Sequence, residues 1–211
     1  MKTNYKTNVH LSSAFLAFCL LATSCAKIYY HPDAITIAES HEVLAIMPPV
    51  VSIAAQKKVD AESLIEQQKT ESINFQKEIY AWLLKRKMKN QFTCDFQQTD
   101  NTNALLARAG YPDTLLTTDE ICSLLGVDGV IKTNIALSKP MSDGAAIALL
   151  LIGGGGSTNE IRVNYNINDC EMQQLIFSFD HKYSGGIGSS TSRLVDEMMR
   201  QISKKMPHFK P

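Results

Sequence analysis

The feature that most constrains the fold is the order in which strand-like and helix-like patterns of apolar residues follow one another along the chain. Alternating or short continuous apolar runs predict strands, whereas apolar residues three or four positions apart predict helices. The predicted strands cover residues 43–47, 92–97, 127–137, 160–168 and 173–182. The predicted helices cover residues 60–89, 101–109, 117–125 and about 194–206. This β-α-β-α-α-β-β-β-α order predicts a single α+β domain in which a layer of helices covers one face of a mixed β-sheet.

Local start and stop signals support two of these boundaries. Pro48 and Pro49 end the first apolar run, because proline cannot continue a regular strand. Thr117 and Glu120 have the spacing of a capping box, and Gly126 follows the apolar residues of the same segment. These residues predict a short helix that begins at residue 117 and ends before Gly126.

The first 25 residues have the composition of an export signal. Lys2 and Lys6 supply a positive start, residues 11–22 are apolar and uncharged, and small residues precede Cys25. This arrangement is typical of a secretory signal peptide. A membrane-spanning helix is disfavoured, because about 20 apolar residues are needed to cross a bilayer. We therefore expect a signal peptide at residues 1–24, an N-terminal tether at residues 25–42 and the α+β domain at residues 43–211.

The end of this signal resembles the lipobox of bacterial lipoproteins. The matching residues run from Leu20 to Cys25, although Ala22 stands where the lipobox has leucine. The resemblance implies that the Cys25 thiol takes a diacylglycerol and that the new N-terminus is then acylated, for example with palmitate. A terminus with two or more acyl chains is stably anchored in a membrane. The alternative is an ordinary signal peptide whose cysteine is incidental.

Charge and cysteine content limit the function of the mature chain. Removal of 24 of the 211 residues leaves 187, with 19 basic against 21 acidic residues and a formal charge of about −2. A near-neutral domain has no electrostatic basis for binding a nucleic-acid backbone. Cys94, Cys122 and Cys170 remain, so at most one internal disulfide can form. Buried free thiols are the preferred interpretation, and no pair has the spacing of a zinc site.

Three segments resemble a group of bacterial envelope domains that includes CsgG, the penicillin-binding-protein activator LpoB and the N-terminal domain of TolB. The segments are residues 43–49, residues 121–131, and residues 163–183 with the glycine-rich loop and helix that follow. The resemblance implies a non-catalytic envelope role as an assembly factor, an activator or an export accessory. Unlike CsgG, the chain has no pair of alternating strands long enough for a membrane barrel.

The apolar run at residues 145–152 is the main candidate contact surface. It leads into four glycines, and its largest side chains are those of Ile147, Leu149, Leu150, Leu151 and Ile152. Eight residues are too few to span a bilayer. The run is either a short buried helix or strand, or an exposed loop that contacts a partner or a lipid surface.

No catalytic or metal-binding motif is recognisable in the sequence. The five histidines are separated from one another, and His181 and Asp180 are adjacent on a strand and therefore point to opposite faces. The glycine-rich loops lack the residues that complete a phosphate-binding loop. We therefore expect no catalytic residues, no metal and no cofactor. The alternative is an enzymatic or small-ligand domain whose site is assembled from distant residues.

These observations predict a lipoprotein anchored to the outer membrane and facing the periplasm. Its expected partners are membrane lipid, an envelope protein of unknown identity and a further copy of the chain, and nucleic acid is not expected. A second alternative is an oligomeric protein that inserts residues 145–152 into a membrane.

Overall fold

A computed structural model describes residues 26–54, 60–138, 160–184 and 190–210. Within these ranges the strands are β1 (Lys27–Tyr30), β2 (Val43–Ile46), β3 (Val50–Ile53), β4 (Asp95–Phe96), β5 (Gly129–Leu137), β6 (Glu160–Asp169) and β7 (Leu175–Ser184). The helices are α1 (Ala34–Ser40), α2 (Ala61–Lys87), α3 (Thr99–Arg108), α4 (Thr118–Leu125) and α5 (Thr191–Ile202), and a 3-10 helix follows at Ser203–Lys205.

The described strands form one mixed sheet. Its order is β1-β7-β6-β5-β2-β4, and β3 pairs with the second half of β5. The strands β5, β6, β7 and β1 are antiparallel neighbours, whereas β2 and β3 run parallel to β5, and β4 runs parallel to β2. Together with the helices, this sheet confirms the predicted α+β class.

The larger core lies between one face of the sheet and helices α2 and α5. On α2, Phe75, Ile79 and Leu83 follow one another at four-residue steps and are fully buried. The buried stripe of α5 consists of Leu194, Val195, Met198, Met199 and Ile202. These residues pack against alternate side chains of β5, β6 and β7, which explains why the helical and the alternating patterns were both visible in the sequence.

Helices α3 and α4 pack on the opposite face, over β2. Leu44 and Ile46 point into the larger core, whereas Ala45 and Met47 belong to a second cluster with Leu106 and residues of α4. The predicted single helical layer is therefore supplemented by a smaller layer on the second face. Further along the sheet, this second face carries side chains that are exposed or half-buried: Asn134, Arg162, Asn164, Asn166, Ser178 and Asp180.

The predicted capping signals of α4 are confirmed. The Thr117 side chain accepts a hydrogen bond from the backbone N–H of Glu120, and the Glu120 carboxylate accepts one from the backbone N–H of Thr117. Gly126 ends the helix with φ 62°, a left-handed conformation that glycine adopts without a Cβ clash.

Helix α2 matches the prediction closely but is only partly embedded in the core. It begins after the N-cap Asp60 and has 27 residues, and its buried positions start at Glu71. Its first ten residues therefore contribute little to the core, as their weak apolarity indicates. Among the residues that the structure describes, no helix combines the length and apolarity needed to cross a bilayer.

The N-terminal part of the domain differs from the prediction. Residues 26–42, predicted to be an irregular tether, contain β1 and α1. The chain also resumes an extended conformation after Pro48 and Pro49, where β3 pairs with β5. Residues 92–97 form only the short strand β4, and Phe92 instead bridges to Phe209 near the C-terminus. The first described element of the sheet therefore begins at Lys27.

Candidate functional site

The end of the sheet at which β1 begins is the candidate site. Lys27 opens β1 and pairs with Asp180 of β7, so the chain before Lys27 lies towards the C-terminal end of β7. That end of β7 adjoins the first residues of β6, and Ile161 of β6 pairs with Leu137, the last residue of β5. The N-terminus of the fold and the β5–β6 connection therefore lie at the same end of the sheet.

The two contact sites predicted from the sequence lie outside the described residues, and the segments that carry them are joined to the described fold at this end. Cys25 is two residues from Lys27, which limits their Cα separation to about 7.6 Å. The apolar residues Ile147, Leu149, Leu150, Leu151 and Ile152 fall within 139–159, the connection between β5 and β6. Strands β1 and β5 are three strand spacings apart, or about 14 Å. The sheet thus brings the attachment points of both segments together.

Ala26, the residue that follows Cys25, already contacts the fold. Ala26 is half-buried and packs against the larger core. Tyr30, at the other end of β1, packs its ring 5.4 Å from that of Phe177, and its hydroxyl donates a hydrogen bond to the Lys205 carbonyl oxygen at 2.7 Å. These contacts and the pairing with β7 fix β1 as an edge strand of the sheet.

The open face of the sheet near this end is polar. Arg162 approaches both carboxylate oxygens of Asp180, at 3.2 and 3.1 Å. Asn166 donates a side-chain hydrogen bond to the Asn164 oxygen at 2.7 Å, and the Asn134 amide lies 3.5 Å from the same atom. Exposed and half-buried amide and charged side chains of this kind can contact a polar partner.

A second feature is a buried cluster that sequence spacing did not reveal. His41 Nε2 lies 2.8 Å from Asp169 Oδ1, and His41 Nδ1 lies 2.9 Å from His208 Nε2. The three residues are 4%, 3% and 0% exposed, respectively. An ionised carboxylate only accepts hydrogen bonds, so His41 donates from Nε2 and, when neutral, accepts at Nδ1 from His208.

His208 remains neutral in this arrangement. Burial, together with the neighbouring His41, lowers the pKa of His208 to about 3. Its Nδ1 atom has no hydrogen-bond partner, and a second proton there would be buried and unpaired. This cluster holds the C-terminal segment to the residues that precede β2.

A polar pocket of about 380 Å³ opens beside this cluster. Its acidic lining residues are Asp119, Asp128, Asp169 and Glu171. Three of these carboxylates already accept hydrogen bonds: Asp119 from the Gln173 side chain, Asp128 from the backbone of Glu42 and Val43, and Asp169 from His41. Within the described ranges, no group of three or more His, Cys, Asp or Glu residues is arranged to hold a metal ion.

The cysteines correct one sequence interpretation. Cys122 of α4 and Cys170, in the turn after β6, form a disulfide with a Cα–Cα distance of 5.6 Å. The preference for free thiols was therefore wrong for this pair. Cys94 is free and buried, as expected, and burial raises its pKa to about 12. Disulfides are typical of proteins that fold in an oxidising compartment.

An apolar groove of about 380 Å³ lies between the first half of α2, the β2–β3 connection and the end of α3. Val50 is 60% exposed and Ile65 is 50% exposed, and Pro48, Pro49 and Tyr111 complete its apolar lining. Exposed apolar side chains gathered in one groove are typical of a protein-binding surface.

No protein-family model and no curated protein matches the sequence. Among solved structures, dodecameric PelC from Paraburkholderia phytofirmans aligns with 9% identity and a TM-score of 0.43, covering 89% of this chain and 99% of that one. The lipoprotein GNA1162 from Neisseria meningitidis aligns with 9% identity and a TM-score of 0.41, covering 78% and 96%. The LpoB C-terminal domain from Salmonella enterica aligns with 11% identity and a TM-score of 0.34, covering 68% and 82%. At these values the likenesses assign no function.

Proposed function

We propose that this protein is a lipoprotein of the bacterial envelope, anchored through acylated Cys25 and acting as a non-catalytic binding factor. The observation that carries the proposal is that the start of β1 and the β5–β6 connection lie at the same end of the sheet. Strand β1 begins two residues after Cys25, at the end of the sheet from which the apolar β5–β6 connection also departs. The export signal and the Cys122–Cys170 disulfide add support, because both are typical of an exported protein.

In this proposal the apolar residues of the β5–β6 connection contact the same membrane as the acyl chains. Ile147 and residues 149–152 are the proposed contact residues. A second membrane contact, on the connection that leaves β5 about 14 Å from β1, would restrict rotation of the domain about its anchor. Since eight residues cannot span a bilayer, the contact is confined to one leaflet.

The apolar groove supplies the surface for an envelope protein partner. It is formed by the first half of α2, the end of α3 and the β2–β3 connection. Cross-linking in cells from a photoreactive residue at Val50 should give one discrete product, and Ile65→Asp should abolish it. The exposed Leu115, 93% accessible and outside the groove lining, is the matched control position. Equal products from both positions would contradict the groove as the partner site.

The anchor is tested by membrane separation in a Gram-negative host. The wild-type chain should sediment with the outer membrane, and Cys25→Ala should keep its leader and remain with the inner membrane. A variant with Leu150→Asp and Leu151→Asp should be processed normally but be extracted at lower salt or detergent concentration, whereas Leu115→Asp should behave like the wild type. Identical processing and location of the wild type and Cys25→Ala would overturn the proposal.

A further inference from the structure

The native disulfide is not the pairing that the unfolded chain favours. Cys94, Cys122 and Cys170 are the thiols available after export, because acylation would convert the Cys25 thiol into a thioether. In the folded protein Cys122 bonds to Cys170, 48 residues later, whereas Cys94 is free and buried. Cys122 is therefore bonded to the more distant of its two neighbouring cysteines in the sequence.

Chain length and the direction of export both favour a bond between Cys94 and Cys122. These two cysteines are about 28 residues apart, against 48 for Cys122 and Cys170. Because closing a longer loop costs more entropy, Cys94 should meet Cys122 in the unfolded chain about twice as often as Cys170 does. A chain led by an N-terminal signal also crosses the membrane N-terminus first, so Cys94 and Cys122 reach the oxidising side before Cys170.

A bond between Cys94 and Cys122 is incompatible with the fold. Cys94 belongs to the larger core on one face of the sheet, whereas Cys122 belongs to the second cluster on the opposite face. Two cysteines on opposite sides of a sheet cannot be bridged without moving the backbone. A chain that carries this bond therefore cannot complete the sheet and both helical layers until the bond is exchanged.

We propose that the exported chain is a substrate of an envelope thiol–disulfide isomerase, which converts a Cys94–Cys122 bond into the native Cys122–Cys170 bond. The first bond is made by an envelope thiol oxidase, which takes up two electrons and two protons from the Cys94 and Cys122 thiols. This inference rests on the proposed export of the chain and on the acylation of Cys25.

The exchange needs no further oxidant or reductant. The isomerase thiolate attacks Cys122 Sγ, and Cys94 leaves as a thiolate that takes up a proton. Cys170 then loses its proton and attacks Cys122 Sγ, which forms the native bond and releases the isomerase thiolate. One disulfide has replaced another, and the proton lost by Cys170 balances the proton gained by Cys94.

Folding makes the exchange irreversible. Cys94 is buried in the larger core, and burial raises the pKa of its thiol to about 12. Because only a thiolate attacks a disulfide, Cys94 cannot reopen the native bond once the core has formed. In a mispaired chain the core has not formed, and uncatalysed rearrangement takes minutes to hours. The isomerase therefore determines how much of the chain reaches the native pairing.

The test uses the full chain in two Gram-negative hosts that differ only in whether they contain their periplasmic disulfide isomerase. Free thiols are alkylated in denaturant at lysis, and disulfide-linked peptides are identified by mass after proteolysis without reduction. The host without the isomerase should accumulate the Cys94–Cys122 peptide pair in at least about twofold excess over the native pair. The host with the isomerase should contain the Cys122–Cys170 pair.

The matched control is Cys94→Ala, which leaves one possible pairing and keeps the buried position apolar. It should form the native bond with equal yield in both hosts. Loss of the wild type from the isomerase-deficient host while Cys94→Ala persists would also support the inference, since mispaired chains are open to proteases. The native bond at equal yield in both hosts, or a Cys94–Cys122 bond that persists equally in both, would overturn it.

Failure of this inference can be distinguished from failure of the proposed function. The intact mass of the mature protein from the same cells reports the acylation of Cys25. An acylated Cys25 with the native bond at equal yield in both hosts would refute only the isomerisation. An unacylated Cys25 in a chain whose native pairing depends on the isomerase would refute only the anchor.

Discussion

Replacing Cys122 and Cys170 with alanine removes a cross-link between α4 and the β6–β7 turn. The two cysteines are 48 residues apart in sequence. In the chain-entropy description, opening a loop of this length adds about 13.6 cal/mol/K to the unfolded state, or about 4 kcal/mol at 25 °C. Because a whole domain is stabilised by only about 5–15 kcal/mol, this loss is a large fraction of the free energy of unfolding.

Urea unfolding followed by the fluorescence of Trp82, the only tryptophan, measures this loss. The double variant should lose up to about 4 kcal/mol, and its denaturant dependence should become steeper because its unfolded chain is more expanded. Cys94→Ala is the matched control, since Cys94 is 1% exposed but forms no cross-link. It should lose only about 1 kcal/mol for the cavity. Equal losses in the control and the double variant, with equal denaturant dependence, would refute the reasoning.

Three further predictions concern individual residues. The pKa of His208 is lowered in the folded state, so only the unfolded state binds a proton at this residue between about pH 6.5 and pH 3. The free energy of unfolding should therefore fall as the pH is lowered through this window, by up to about 1.4 kcal/mol per pH unit. Urea unfolding at pH 7 and pH 5 should show this decrease, and His208→Gln should make it smaller. Thr117→Ala removes the N-cap of α4 and should lower the free energy of unfolding by about 1 kcal/mol, which calorimetry would register as a melting temperature about 2–4 °C lower; an unchanged melting temperature would count against the cap. Cys94 should resist iodoacetamide in the folded protein and react only in denaturant, because burial raises its pKa to about 12; rapid alkylation without denaturant would contradict its burial.

The sequence predicted the fold best where one local pattern decided the structure. The four-residue spacing of Phe75, Ile79 and Leu83 gave α2, and the alternation of β6 and β7 gave their hairpin. The cap at Thr117 was recognisable because both partners lie within one helical turn. In each case the residues that form the element also carry the signal.

The elements that were missed depend on distant partners. All four residues of β1 are exposed, so no apolar alternation marks the strand, and it is held by pairing with β7 some 150 positions later in the chain. The strand β3 has four residues and begins directly after Pro49, where a stop signal was the stronger local pattern. Short strands of this kind are specified by the sheet and not by their own composition.

The same limit applies to the candidate site. His41 is 128 positions from Asp169 and 167 from His208, so no motif spacing connects them. The disulfide was one of three possible pairings and became evident only from the fold, in which the Cys170 backbone N–H donates to the Asp128 carbonyl oxygen. By contrast, the prediction at Cys25 needed only its immediate neighbours, because a lipobox is a short linear segment.

The intact mass of the mature protein tests the central claim most directly. The full chain and Cys25→Ala are expressed in a Gram-negative host, purified from detergent-solubilised membranes and weighed. The account predicts that the wild type begins at Cys25 and carries the added mass of a diacylglycerol and an N-linked acyl chain, whereas Cys25→Ala retains residues 1–24. A wild-type protein that is processed, unacylated and soluble would contradict it.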